Sequence, residues 1–249
     1  MKSIEIKKLT HELRLFGIHE NFERRIQNAM HDNLTGEELL IHLLEDEKQF
    51  RKNRTAKVLE TKAKFRRQSL LEDWDFNVDR GITKAKMREL ALLNFWEKKQ
   101  NLIIFGSTGC GKTQLSIALG KAACQKQLTV LFISVSQLFE EMRAQKHSGK
   151  YITWTKNLKK NDIIVFDDFG LRNYDHEEAM FFLDLLEDRY QNKIHIFSSQ
   201  VDVAGWKSLF EDPVTAEAII DRIKNPSDKI HLTGTSYREV ISKNGMNSN

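Results

Sequence analysis

Cysteine is scarce: Cys110 and Cys124 are the only two in 249 residues, and they form neither a metal-ligand spacing nor a C-x-x-C pair. Both read as reduced thiols, Cys110 within a glycine-rich loop and Cys124 buried on a predicted helix. Long apolar runs are missing too. None approaches the roughly 20 residues that span a bilayer. The opening MKSIEIKKLTHELRLF mixes acids and bases where a signal peptide carries an apolar core. These absences make the cytoplasm the expected compartment and exclude a membrane partner. The eight histidines show no ligand pairing, and no serine sits in a nucleophile elbow. Nothing resembles a zinc finger, and no helix-turn-helix stands out.

What is present is a globular composition, 40% hydrophobic and 30% charged. The length suits one substantial core with a smaller appendage. The net charge of +4 is unevenly placed. Lys48 to Arg67 holds nine basic residues against the single acid Glu60, and Arg143 to Lys160 holds six and no acid. Each run reads either as a solvated face or as a contact for a polyanion. The DNA-contact candidates are Arg51, Arg54, Lys57, Arg66 and Arg67 in the first run. In the second they are Arg143, Lys146, Lys150, Lys156, Lys159 and Lys160. Tyr151 and Trp154 lie among the second set, as stacking groups or as core residues of a short helix. No base-reading motif accompanies them, so binding to double-stranded DNA is expected to be largely non-specific.

The periodicity predicts a helical domain over residues 1–70. Leu9, Leu13 and Phe16 recur at helical spacing, with Gly17 as a helix end. Thr35 and Glu38 form a capping box before a long helix whose apolar positions thin out toward its basic end. A linker and lead-in helix follow at 71–100, beginning LEDWDFNVDRG. From residue 101 to 240, apolar runs alternate with helical stretches: NLIIF, TVLFISV, DIIVFDD, KIHIFSS and DKIHLTG. Continuous apolar runs are what parallel strands covered on both faces look like. The fold class is therefore α/β, with a mainly parallel five-stranded sheet behind an all-α N-terminal domain. The polar tail at 241–249 is expected to be disordered.

The chemistry centres on FGSTGCGKT. Gly106, Gly111, Lys112 and Thr113 fit the phosphate-loop pattern G-x-x-x-x-G-K-[ST], with Ser107, Thr108, Gly109 and Cys110 at the open positions. A strand precedes the loop and a helix follows it. Glycines let consecutive N–H groups turn inward around phosphate oxygens, and the helix N-terminus adds partial positive charge. Lys112 would reach the terminal phosphates of ATP or ADP, and the Thr113 hydroxyl would ligate Mg²⁺. DIIVFDDFG ends a buried strand with Asp167 and Asp168. Carboxylates at that edge are costly unless a cation meets them, so Asp167 fits the Mg²⁺ side and Asp168 fits the group that orients or deprotonates water. That reading favours hydrolysis over phosphoryl transfer to a metabolite. Ser198, Ser199 and Gln200 end another strand, where a polar group could sense the terminal phosphate or simply turn the chain. Arg222 beside Asp221 is either a surface ion-pair arginine or one that projects into a neighbouring subunit's site. Arg238, after the last strand, has a similar pair of readings.

Taken in order, several blocks resemble one family: Leu13 to Gly17, LEDWDF, GSTGCGKT, IIVFDDFG, GWKSLFEDPVTAEAIIDRI and SYR. The chain resembles the IstB-type ATPases that assist insertion-sequence transposases, relatives of the bacterial replicative-helicase loaders among AAA+ proteins. The resemblance implies an AAA+ phosphate-loop core, although the C-terminal helical lid of AAA+ proteins is apparently absent. It makes Arg222 an arginine finger, Arg238 a second sensor and Gln200 a γ-phosphate sensor where the family has asparagine. Asp168 stands where many AAA+ proteins carry glutamate, which implies slow hydrolysis stimulated by DNA or a partner. Asp75 and Phe76 would border the nucleotide base. Assembly into a ring or spiral on DNA, stabilised by ATP and engaging a cognate transposase, is likewise implied. The alternatives are a helicase loader, a small-molecule kinase and a non-catalytic, nucleotide-gated DNA-packaging module.

Overall fold

The structure, a computed structural model, describes residues 2–234. The chain divides into two compact units, Met1–Val58 and Leu59–Asn249. The division falls inside a helix, upstream of the boundary expected near residue 71.

The first unit is helical as predicted: α1 (Lys2–Glu12), α2 (Phe16–His31) and most of α3 (Gly36–Lys62). The Thr35–Glu38 capping box is present, with Thr35 N donating to Glu38 at 2.8 Å and Glu38 N to Thr35 Oγ1 at 3.3 Å. Gly17 does not end a helix. It is the second residue of α2, where an added Cβ would lie 2.6 Å from the Asp46 carbonyl oxygen and the Glu47 Cα. Its lack of a side chain lets α2 close onto α3. Buried Glu47 then accepts from Gly17 N at 2.7 Å and Ile18 N at 3.3 Å, supplying the anion that a helix N-terminus favours. Arg25 pairs with Asp46 through both carboxylate oxygens.

The second unit opens with a linker and α4 (Lys84–Ala91), capped by Thr83. The predicted single lead-in helix breaks at Leu93, whose φ of 59° starts a separate short α5 (Asn94–Glu97). The break lets both Leu93 and Phe95 be buried.

All five predicted strands form: β1 (Asn101–Gly106), β2 (Val130–Ser134), β3 (Ile163–Phe169), β4 (Ile194–Ser199) and β5 (Ser227–Leu232). They pair in parallel in the order β2-β3-β4-β1-β5. Side chains alternate between the faces along each strand. Leu102, Ile104, Val165 and Ile196 pack in one core with residues of α4 and α6 (Lys112–Gln125). Ile103, Ile164, Phe166 and Phe197 pack in a second core with α7 (Val135–His147), α9 (His176–Arg189) and α10 (Pro213–Lys224). The short α8 (Tyr151–Lys160) joins the second core through Leu158. Residues 59–71 belong to this unit because Leu59, Phe65 and Leu71 pack on the first core and Phe132 N donates to the Ala63 carbonyl at 2.8 Å. That attachment moves the boundary upstream.

Arg238, the SYR segment, the expected 241–249 tail and the expectation about a lid lie outside the described residues. Among the described residues, no helix is long and apolar enough to cross a membrane.

Candidate functional site

A parallel sheet gathers its functional groups at the carboxyl ends of its strands, and three strands deliver them here. The loop after β1 turns through Gly106, Gly109 and Gly111 at φ of 148°, 83° and 102°. At Gly106 a Cβ would lie 2.0 Å from the Leu232 carbonyl oxygen, and at Gly111 one would lie 3.0 Å from Arg80 Nη1. Gly106 has no room for a side chain, and at Gly111 Arg80 would have to give by a few tenths of an ångström on top of the positive φ. Lys112 is buried and donates to the carbonyls of Gly106 (2.8 Å) and Ser107 (2.7 Å), which folds its ammonium back across the loop. Cys110 is fully buried and donates to Ser107 O at 2.9 Å, so it is a packing thiol inside the turn. Burial pushes the Cys124 thiol up to about 12. Both cysteines are free.

Asp167, at the end of β3, is 1% exposed. Its Oδ1 accepts from Thr113 Oγ1 at 3.0 Å and from the Ser198 hydroxyl on β4. Burial raises its pKa above the ordinary carboxylate value; the hydroxyls pull the other way, and neighbouring Asp168 adds to the rise. The β3–β4 register slips between Phe166 and Phe169, and Asp168 sits in the slip at φ 60°. Aspartate enters this left-handed region more readily than longer side chains do, which gives a local reason for aspartate here. Asp168 N donates to Ser198 Oγ at 3.2 Å. Ser198 thus ties both acids together, a role the sequence left open between sensing and turning. Ser199 is committed elsewhere, to Trp206 Nε1 and the Val201 backbone.

A cleft of about 300 Å³ is lined by Thr108, Lys112, Thr113, Asp168 and Gln200, with Asp167 behind it on Thr113. Thr108 Oγ1 donates to Gln200 Oε1 at 2.9 Å, so the end of β4 and the phosphate loop face each other across it. Arg67, Gln68 and Ser69 line the same cleft, and of these Arg67 was read in the sequence as part of a DNA-contact run. Arg66 lies over the Phe132 ring at 6.0 Å and lowers the Asp167 pKa by its charge.

Asp75 and Phe76 do not line the cleft. Asp75 caps a turn by accepting from Asn77 N at 2.9 Å, and Phe76 borders a separate groove with Met87 and Ala91. The linker residues against the loop are instead Trp74, whose Cη2 would lie 3.1 Å from a Cβ at Gly111, and Arg80, stacked on Trp74 at 3.5 Å. The W-D-F string marked this neighbourhood, but only packing shows which side chains turn inward.

Arg222 ends α10 beside β5. Its backbone carbonyl accepts from Asn101 at the start of β1, and its guanidinium pairs with Glu187. Asn101 precedes Gly106 by five residues, a strand rise of roughly 17 Å. Arg222 therefore sits at the amino edge of the sheet, away from the cleft of its own subunit.

Half of the second cationic run is neutralised. Arg143 pairs with Glu178 at 2.8 Å, Lys146 with Glu177, and Lys159 with Asp188, all on α9. Trp154 stacks on Phe181 with ring centroids 5.7 Å apart, and Tyr151 packs against the same core. The aromatics are core residues. Lys150, Lys156 and Lys160 remain exposed. In the first run Arg51 pairs with Glu47 at 2.7 Å, and Arg54 and Lys57 are exposed.

The family model of the IstB-like ATP binding proteins matches residues 8–244. A Sinorhizobium fredii protein named as an insertion sequence ATP-binding protein, y4pL, is 32% identical over 90% of this chain and 91% of its own length. The insertion sequence IS21 ATP-binding protein of Pseudomonas aeruginosa is 31% identical over 94% of this chain and 88% of its own. Among solved structures, DnaI is similar at a TM-score of 0.55 and 26% identity, covering 68% of this chain and 90% of that one. AMPPCP-bound DnaA from Aquifex aeolicus shares the fold at a TM-score of 0.58 and 20% identity, over 75% of this chain and 57% of that one.

Proposed function

The chain belongs to the IstB-like family of ATP-binding proteins, and we propose that this AAA+ ATPase uses its nucleotide state to assemble on double-stranded DNA and engage a transposase. The observation that carries the reading is Asp167: a buried carboxylate at a strand edge, held by hydroxyls alone, beside a phosphate loop and a second acid. Such a group fits a divalent cation. Among the described residues, no cluster of three or more acidic, histidine or cysteine side chains could hold a metal. Mg²⁺ would therefore take its other ligands from the nucleotide and water, as it commonly does. The glycine cradle fits the phosphates, because positive φ at Gly106, Gly109 and Gly111 is the kind of backbone turn that brings N–H groups round an anion.

Bound Mg²⁺–ATP supplies the phosphoryl group to be transferred and charge for the site to stabilise. This chain's residues do the rest. The loop amides and Lys112 hold phosphate oxygens, and Thr113 and Asp167 hold the cation. Asp168 orients the attacking water and accepts its proton. Gln200, aligned by Thr108, senses the terminal phosphate. Arg222 completes a neighbouring subunit's site, which makes hydrolysis slow until subunits gather on DNA in a ring or spiral. The exposed lysines Lys150, Lys156 and Lys160 contact DNA phosphates without reading sequence.

Asp168→Asn is expected to retain ATP binding and DNA assembly while turnover is lost; unchanged turnover would remove Asp168 from this role. Electron-microscopic imaging with duplex DNA, once with ATP and once with ADP, is expected to give ordered assemblies only with ATP. The likeness to DnaI favours a second reading, delivery of a replicative helicase. Affinity capture that yields a hexameric helicase and no transposase would put that reading first.

A further inference from the structure

The linker strap at 63–69 is fixed at both ends yet leaves one cation over the cleft. Upstream, the Ala63 carbonyl is held by Phe132 N at the outer edge of β2. Phe65 packs edge-on to Phe132 and so tightly on α6 that a Cβ at Gly120 would lie 2.7 Å from its ring. Downstream, Gln68 accepts from Lys121 on α6, and Ser69 is buried. Between these anchors Arg67 is exposed, makes no hydrogen bond or ion pair among the described residues, and lines the cleft with Thr113, Gln114 and Asp168. Lys112 and Arg67 are the cleft's cations and Asp168 its one acid.

We propose that Arg67 binds the nucleotide's phosphates within its own subunit, as a clamp brought from the linker to the side of the cleft that the phosphate loop does not supply. The proposal rests on the reading of the cleft as a nucleotide site. A guanidinium suits it because its planar fork donates to two phosphate oxygens at once, where an ammonium acts as a point charge. The anchors fix the backbone and leave only the side chain to be ordered, which keeps the entropic cost of clamping small. The contact also makes the strap a reporter: phosphate in the cleft engages Arg67 and shields the exposed Arg66–Arg67 bond, which stays open to solvent when Arg67 has no phosphate to hold.

The test is equilibrium titration of the full chain with fluorescent ATP and ADP analogues in Mg²⁺, comparing wild type, Arg67→Ala, Arg67→Lys, Lys112→Ala and the charge control Lys98→Ala. Arg67→Ala is expected to raise Kd about tenfold or more, as removal of a hydrogen bond to a charged group does. Arg67→Lys should recover part of the loss, and Lys98→Ala should match wild type. Tryptic cleavage after Arg66 should slow in wild type when nucleotide is added and should not slow in Arg67→Ala. Wild-type affinity in Arg67→Ala, alongside weakened binding in Lys112→Ala, would overturn the clamp and leave the nucleotide site standing. Loss of duplex-DNA affinity with nucleotide affinity unchanged would also overturn it and make Arg67 a DNA contact. Absence of nucleotide binding by wild type would overturn the site reading and the clamp together.

Discussion

Asp167 and Glu178 are both 1% exposed, yet their carboxyl groups shift in opposite directions. Burial pushes each upward. Asp167 hydrogen-bonds only to hydroxyls and sits beside a second acid, and the small pull of the Arg66 charge does not offset its burial, so it stays raised. Glu178 meets the guanidiniums of Arg172 and Arg143, whose hydrogen bonds and charge bring it below the ordinary value. It also closes the capping box of α9 with Asp175. At the same solvent exposure, then, Asp167 is the more deeply desolvated and has no cation bonded to it, whereas Glu178 is already neutralised from within. The first belongs to a site and the second to the architecture. Glu178 also occupies Arg143, one of the six cations in the run at 143–160.

Substitutions at the two acids should separate these roles. The largest effect expected is at Asp167: Asp167→Asn should lower Mg²⁺-dependent ATP turnover about a hundredfold or more, with little change in the melting temperature. Turnover near wild type would erase the distinction. Glu178→Ala should do the reverse, costing about 2 kcal/mol in denaturant unfolding while turnover per folded molecule stays within about twofold. The figure lies below that for breaking a fully buried pair because Arg143 and Arg172 are themselves partly exposed.

Next comes DNA affinity. Replacing Lys150, Lys156 and Lys160 together with alanine should reduce the salt slope of duplex-DNA binding by about three units. Arg143→Ala should leave that slope unchanged, because Glu178 already holds its guanidinium. Equal effects from the two variants would mean that the ion pair opens on DNA.

The smallest effect concerns pH. Glu178 has a folded pKa below its ordinary 4.5, so its contribution to stability is present above about 4.5. It is lost as pH falls from there through the folded value. Glu178→Gln should therefore flatten the acid limb of a stability–pH profile. Asp167 has the opposite sign: its raised folded pKa makes the folded state the stronger proton binder, so its contribution falls as pH rises through its titration.

Much of the fold was legible in the sequence because its signals are local. Five apolar runs became five parallel strands, and Thr35 with Glu38 capped α3 as their spacing required. Lys112, Thr113 and Asp167 were legible because a phosphate loop must follow a strand, and its acidic counterpart must end another. Gly17 was misread because a glycine that ends a helix and one that admits a neighbouring helix look alike in one dimension. The ion pair of Arg143 was not legible because its partner is 35 residues away. Arg67 was assigned to a DNA-contact run because its neighbours in sequence are basic, although in space it borders the cleft.

The sequence by itself determined the α/β order, the phosphate loop and the two acids after β3, since each follows from periodicity or from spacing within a few residues. Tertiary structure alone decided which charges remain available. It paired α7 and α8 with α9, turned Asp168 into the left-handed region at a register slip, and carried the linker across α6 to the mouth of the cleft. The physical reason is that a charge's free energy depends on its partners and its solvation, and both are set by residues far away along the chain.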